Sequence, residues 1–161
     1  NVAMDPLMTS SYSGVTAGFV IVVCDDPDMH SSQNEQDTRW VGIYAKLPVL
    51  EPSSPAEARE FVAEAFKISE KFDTPVIVRM TTRISHTKED VKLDKRIKGK
   101  PVKLEPNMRK YVMGPGNARI RHAFVEKRIE KLWLDLIFEG PEMNQVTIRD
   151  LTFSRHPRAE L

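Results

Sequence analysis

A polar segment at residues 24–37 concentrates the side chains best suited to chemistry. It carries carboxylates, one imidazole, two serine hydroxyls and several side-chain amides, and it directly follows the apolar run at residues 19–23. Ligands of open α/β sheets bind outside the carboxyl ends of the strands, so this position predicts a ligand-binding loop. The alternative is a solvated loop whose serine and aspartate side chains only cap the next helix.

A calcium loop is one narrower interpretation of this segment. Its positions 1, 3, 5 and 12 are occupied by Asp26, Asp28, His30 and Asp37. Ser31 stands where the sharp turn of such a loop needs glycine, and an aspartate replaces the usual bidentate glutamate, so the sequence favours no metal site here. An acid–base pair of His30 with an aspartate is a second interpretation, but the sequence places no nucleophile beside it.

Helix and strand signals alternate on both sides of the polar segment. Asp5 predicts the N-cap of a short helix that ends at Gly14. The apolar run at residues 19–23 predicts a strand that is covered on both faces in a parallel sheet. A helix beginning near Asp37 is predicted by apolar residues at helical spacing, namely Trp40, Ile43, Tyr44 and Leu47.

Residues 49–78 are interpreted as one β-α-β unit. Ser54 and Glu57 predict a capped helix start, and a second apolar strand follows at residues 76–78. The buried face of this helix is predicted to contain Ala58, Phe61, Val62, Ala65, Phe66 and Ser69. The elements together predict an α/β fold with a partial doubly wound, mainly parallel sheet.

The character of the chain changes after residue 82. Residues 83–110 hold ten Lys and Arg against four acidic residues, which predicts an exposed basic linker over residues 83–116. An amphipathic C-terminal helix over residues 117–139 is predicted by Ile120, Phe124, Val125, Ile129, Leu132, Trp133 and Leu136. Residues 140–161 show no sustained period, which indicates an irregular or divergent tail.

The composition sets the broad class of the protein. The 161 residues are 40% hydrophobic and 29% charged, which suits a domain with a proper core. The net charge of +1 favours neither nucleic acid nor a membrane surface as a partner. The single cysteine, Cys24, forms no internal disulfide, so we interpret it as a buried structural residue and expect a cytoplasmic protein.

Seven stretches of the sequence together are long enough to identify a protein family. They are NVAMDPLMT (1–9), GFVIVV (18–23), DDPDMHSSQNEQD (25–37), PVLEP (48–52), PVIVR (75–79), TTRISH (81–86) and YVM (111–113). Together they resemble the large subunit of indolepyruvate ferredoxin oxidoreductase, over about residues 1–131. Such agreement across many segments is more specific than any short motif.

The resemblance implies a thiamine diphosphate enzyme that oxidatively decarboxylates aryl 2-oxoacids to aryl-acyl-coenzyme A and passes electrons to ferredoxin. Residues 1–82 would form the later part of the domain that binds the aminopyrimidine of the cofactor. The resemblance also implies that the catalytic glutamate of the family, the magnesium site and the iron–sulfur clusters lie outside this sequence, and that a smaller partner subunit exists. A fragment of this kind is expected to be inactive alone.

The resemblance also suggests residues for the cofactor or substrate pocket. By their position in the loop, these residues would form a polar wall: His30, Ser31, Ser32, Gln33, Asn34 and Asp37. The alternative function is a free-standing α/β binding or scaffold module, whose basic linker docks an acidic partner or nucleic acid. A third interpretation is a small enzyme centred on Asp26, Asp28 and His30.

Overall fold

A computed structural model describes residues 2–93, 95, 99, 101–138, 146–148 and 151–153. Its elements in chain order are α1 (Met4–Ser13), β1 (Val20–Asp25), α2 (Thr38–Ala45), β2 (Val49–Leu50), α3 (Pro55–Phe72), β3 (Val76–Thr81), α4 (Thr82–His86), α5 (Met108–Tyr111), α6 (Pro115–Phe138), β4 (Val146–Ile148) and β5 (Leu151–Phe153). A 3-10 turn, Pro27–Met29, follows β1. The α/β class that the sequence predicts is confirmed.

The five strands of the described residues form one sheet in the order β1-β3-β2-β4-β5. β1 and β2 both run parallel to β3, which confirms the β-α-β unit. The hairpin of β4 and β5 extends the sheet antiparallel to β2. The prediction of an irregular tail is therefore wrong at 146–148 and 151–153, because strands of three residues are too short to show a sequence period. The rest of the tail, residues 140–145, 149–150 and 154–161, lies outside the described residues.

Among the described strands, β1 lies at an edge of the sheet, and it is not covered on both faces as its apolar run predicts. Val22 is 58% exposed, and Phe19, which immediately precedes the strand, is 45% exposed. An apolar groove beside the strand is lined by residues of α1 and β1, among them Met4, Leu7 and Ile21. Apolar side chains show that burial of a strand would be favourable. The place of the strand in the sheet depends instead on pairing partners elsewhere in the chain.

Helices pack on both faces of the sheet, as in a doubly wound fold. On one face, α3 and α6 cover β2 and β3 through a core of Leu50, Phe61, Ala65, Ile68, Val76, Val78, Ile129, Leu132 and Leu136. On the other face, a smaller cluster of Ala45, Leu47, Val49 and Ile77 is joined by half-buried residues of α1 and β1. None of the described helices combines the length and the apolar composition needed to cross a membrane.

Local signals place the helix starts closely, with two corrections. Ser54 caps α3 by accepting a hydrogen bond from Glu57 N at 3.1 Å, as predicted. In α3, Phe66 is 44% exposed and Ile68 is buried in its place, which corrects the predicted buried face. α1 begins at Met4 after an Ala3 N-cap, so Asp5 lies in the first turn and is not the cap.

α2 begins at Thr38, as predicted, but buries a different face. Trp40 and Tyr44 are 71% and 69% exposed, whereas Gly42 and Ala45 are buried. A Cβ added at Gly42 would overlap Cγ2 of Val49 in β2. The helix therefore lies too close to the sheet for large side chains on the contact face, and its aromatic residues point away from the sheet.

α6 is tied to the rest of the fold at the amino end of β3. The buried guanidinium of Arg128 donates to the carbonyl oxygen of Asp73 at 2.8 Å and to that of Ser11 at 2.9 Å. Burial lowers the pKa of Arg128 to about 10, so this side chain remains charged at neutral pH. The carboxylate of Asp73 accepts from Val15 N and from Lys110 Nζ, both at 2.8 Å. These contacts fasten the ends of α1 and α3 to α6, and they fasten α5 to the end of α3.

Candidate functional site

Charged side chains meet where the three parallel strands end. β1 ends at Asp25 and is followed by Asp26, while Glu51 comes directly after β2 and Thr82 directly after β3. Carboxyl ends of parallel strands share one edge of a sheet, which is the edge at which open α/β folds bind ligands. The polar loop, defined as residues 26–37, leaves the sheet at this edge.

A single buried cation connects the ends of these strands. Arg79 lies on β3 with only 2% of its side chain exposed. Its Nε donates to Oδ2 of Asp25 at 2.6 Å, and its Nη1 lies 2.8 Å from Oε1 of Glu51. Oδ1 of Asp37 lies 3.8 Å from the same Nε. β1, β2 and the start of α2 are thereby connected to β3, which lies between β1 and β2 in the sheet.

Two aspartates fix the first turn of α2. Asp25 accepts from the backbone N of Thr38 at 2.6 Å and from its hydroxyl at 2.5 Å. Asp37 is the N-cap and accepts from Arg39 N at 3.0 Å. The side chain of Arg39 also donates to both oxygens of Asp37, at 2.9 and 2.8 Å. This pairing holds the pKa of Asp37 below its usual value and raises the pKa of Arg39.

Asp26 organises the polar loop from within. Its Oδ2 accepts from the backbone N of Ser31 and of Ser32, both at 2.8 Å. Its Oδ1 accepts from His30 N at 3.0 Å and from the hydroxyl of Thr82 at 2.9 Å. These donors, led by the N–H of Ser31, hold the pKa of Asp26 far below its usual range. The carboxylate is therefore an anion enclosed by its own loop.

The residues predicted to form a pocket wall lie together on this loop but face different surroundings. The side chains of His30, Gln33 and Asn34 are exposed, and Ser32 is half-buried. Oδ1 of Asn34 accepts from Nε2 of Gln36 at 2.5 Å. Ser31 uses its hydroxyl as well as its backbone N–H on Asp26, and Asp37 acts as a helix cap. Three of the six predicted residues, His30, Gln33 and Asn34, are thus exposed to solvent.

Sequence reasoning missed Asp25, Glu51, Arg79 and Thr82 as members of the site. The position of Arg79 in the sequence could have indicated a role in the site. It directly follows three apolar residues of a predicted buried strand, and a buried cation needs an anionic partner. Oε2 of Glu51 is buried and receives no hydrogen bond from the described part of the chain. It therefore remains available as an acceptor at this edge of the sheet.

The other chemical interpretations of the sequence find little geometric support. Among the described residues, no group of three or more His, Cys, Asp or Glu side chains is arranged to hold a metal ion. Cys24 is exposed near the end of β1, which corrects its interpretation as a buried residue. The described residues between α4 and α5 form no helix or strand and are almost all exposed.

The polar loop is expected to lose stability in acid. Asp26 and Asp37 have lowered pKa values in the folded chain, so their stabilisation is complete above the ordinary value near 4 and is lost as the pH falls through the lowered values. At pH 7, D37N should lower the free energy of unfolding by about 1 kcal/mol. Urea titrations between pH 7 and 2.5 should show this difference shrinking below pH 4.

E35Q is the matched control, since Glu35 is exposed on the same loop and caps no helix. It should keep the wild-type stability at pH 7. A difference between D37N and wild type that stays constant down to pH 2.5 would show that the Asp37 charge contributes nothing to the fold.

Curated proteins similar to this chain share one name. The chain is 45% identical over 92% of its length to indolepyruvate oxidoreductase subunit IorA of Pyrococcus horikoshii, and 46% identical over 92% to that of Pyrococcus abyssi. It is 48% identical over 82% of its length to the subunit of Thermococcus kodakarensis. The match covers 25%, 25% and 21% of these relatives, so the chain spans about a quarter of their length.

Two further comparisons concern the C-terminal region and the fold. A family model described as a family of unknown function, DUF6478, matches residues 121–161. No solved structure matches this chain. The similarity to the first two relatives covers more of the chain than residues 1–131, which carry the resemblance seen in the sequence.

Proposed function

Because this chain belongs to the family of the indolepyruvate oxidoreductase subunits IorA, of which it spans about a quarter, we propose that it is part of an indolepyruvate:ferredoxin oxidoreductase. The observation that carries the proposal is the 45–48% identity to these subunits over most of the chain. The proposed substrate is an aryl 2-oxoacid. It loses carbon dioxide, its acyl group passes to coenzyme A, and two electrons pass through iron–sulfur clusters to ferredoxin.

The part proposed for this chain is the wall of the pocket for the aminopyrimidine ring of thiamine diphosphate. When bound, this cofactor supplies a nucleophilic carbon and an electron sink. The donor set of the polar loop fits such a ring, because the exposed side chains of His30, Gln33 and Asn34 offer both donors and acceptors. The open acceptor on Glu51 supports a ligand with a donor group at the same edge of the sheet.

The remaining cofactors are proposed to bind elsewhere in the enzyme. The one cysteine of this sequence cannot ligate an iron–sulfur cluster by itself, so the clusters belong to other segments or to a smaller partner subunit. Magnesium and the diphosphate of the cofactor are likewise assigned to another part of the enzyme. The residues of this chain therefore bind and orient, and the electron-transfer groups lie outside it.

The test compares the isolated chain with the assembled enzyme, which contains the complete subunit and its partner. The assembled enzyme should reduce a dye acceptor when given indolepyruvate and coenzyme A, and the 161-residue chain should not. The isolated chain should also bind thiamine diphosphate more weakly than about 1 mM by calorimetry, because half of a site offers few preorganised contacts. Pyruvate in place of the aryl substrate tests the substrate class.

A pair of variants tests the pocket wall in the assembled enzyme. N34A should raise the dissociation constant of thiamine diphosphate about tenfold, as expected for the loss of one or two hydrogen bonds to a ligand. E35A changes the neighbouring exposed residue, which is outside the predicted wall, and should leave that constant unchanged. Failure of the assembled enzyme on every aryl 2-oxoacid would refute the proposed activity, and turnover by the isolated chain would refute its inactivity alone.

A further inference from the structure

We propose that Asp26 is the positioning residue of the polar loop, and that its carboxylate acts as a built-in anion which holds the pocket wall in its binding geometry. The role in ligand binding rests on the function proposed above. The role in ordering the loop rests only on the contacts within the chain.

Asp26 contacts the loop at both of its ends. Its carboxylate accepts hydrogen bonds from the three successive backbone N–H groups of residues 30–32, as described above. Its carbonyl oxygen accepts from Met29 N at 3.4 Å and from Gln36 N at 3.5 Å. Asp28 and Met29 lie between Asp26 and residues 30–32 and have positive φ values of 65° and 54°, so the chain reverses direction there. One residue thus closes the loop on itself.

The geometry requires a charged acceptor at this position. Successive backbone N–H groups that converge on one point form a concave site for an anion. An asparagine of equal size would carry an amide N–H into this cluster of donors and lose one of the two acceptor atoms. Two hydroxyl groups add further donors: that of Ser31, and that of Thr82, which connects the loop to the end of β3. The loop is therefore positioned relative to the sheet by the same carboxylate.

A positioning role makes two distinctive predictions. The side chain of Asp26 is buried and its oxygens are occupied by the loop, so it acts on a ligand only through residues such as His30 and Ser32. Its removal should weaken binding while leaving turnover at saturation nearly unchanged. Removal should also leave a carboxylate-sized space lined by the same N–H groups, which formate or acetate can enter.

The first experiment measures order in the loop and needs no activity. In the complete subunit, amide hydrogen exchange at residues 30–32 should become at least tenfold faster in D26A. Formate at 100 mM should restore most of the protection, whereas sodium chloride of equal ionic strength should not. D26N keeps the side-chain volume and should show the fast exchange without rescue, while E35Q should behave as wild type. Wild-type protection in both D26A and D26N would overturn the proposal.

The second experiment measures binding and turnover in the assembled enzyme. D26A should raise KM for the aryl 2-oxoacid or Kd for thiamine diphosphate about tenfold, with kcat within twofold, and formate should reverse the change. A loss of kcat at unchanged KM and Kd would overturn the positioning role. If D26A does not fold, D26N provides the same two readouts. An inactive wild-type assembly would refute the proposed function alone, because the exchange experiment still decides the role of Asp26 in the loop.

Discussion

Replacing Arg79 with alanine, R79A, is expected to lower the free energy of unfolding by about 3–5 kcal/mol. The change removes the buried cation that pairs with Asp25 at 2.6 Å and with Glu51 at 2.8 Å. Two carboxylates would then lie in or near the protein interior without their counter-ion, which costs more than the loss of a surface pair. Urea unfolding followed by circular dichroism gives the difference directly.

R39A is the matched control for this change, since it removes an arginine–aspartate pair whose guanidinium side chain is 37% exposed. It should cost about 1 kcal/mol or less, because exposed pairs are screened by water. The double variant R79A/D25N should be less destabilised than the sum of the two single changes, since the two residues share one interaction. Equal effects of R79A and R39A would show that the buried network contributes no more than a surface pair.

Shortening Leu132 to alanine, L132A, is expected to cost about 3 kcal/mol. Leu132 is fully buried in the core that α6 forms with α3, β2 and β3. The family resemblance visible in the sequence ends at about residue 131, so this prediction tests whether the region beyond it belongs to the folded core. Thermal and urea unfolding of the two proteins provide the measurement.

L134A is the control on the same helix, because Leu134 is 47% exposed. Removing its side chain should change the free energy of unfolding by less than about 1 kcal/mol. If L132A cost no more than L134A, α6 would not be packed on the sheet as the structure describes, and the core would end with β3.

The parts of the fold that depend on neighbouring residues could be predicted from the sequence. The capping of α3 by Ser54 and of α2 by Asp37 involves partners within three residues, so the local pattern contains the whole interaction. The parallel pairing of β2 with β3 follows from the same logic, because a helix between two apolar strands predicts a crossover.

The parts that depend on distant residues could not be predicted in this way. Trp40 and Tyr44 fit an amphipathic pattern, but their exposure follows from the close contact of Gly42 with Val49. Similarly, the place of β1 at the edge of the sheet depends on which other strands are present. An apolar side chain shows that burial is favourable and does not show what covers it.

The candidate site likewise has one feature that could be predicted from the sequence and others that could not. Its location was predictable, since a polar loop after an apolar strand implies the carboxyl edge of a sheet. Its internal organisation was not, because Arg79 finds its partner Asp25 at a distance of 54 residues along the chain. The role of Asp26 was hidden for a different reason. The sequence does not distinguish an aspartate that accepts hydrogen bonds from its own loop from an aspartate that is available to a ligand.

The pairing of β2 with β4 has a consequence for synthesis of the protein. Leu50 pairs with Val146, so this edge of β2 cannot be covered until the ribosome has made the chain beyond β4. From the end of β3 to the end of β5 there are roughly 70 residues, which take about 4–14 s to translate at 5–20 residues per second. Throughout that interval this edge of β2 lacks its partner strand, and an unpaired strand edge is a site for pairing with other chains.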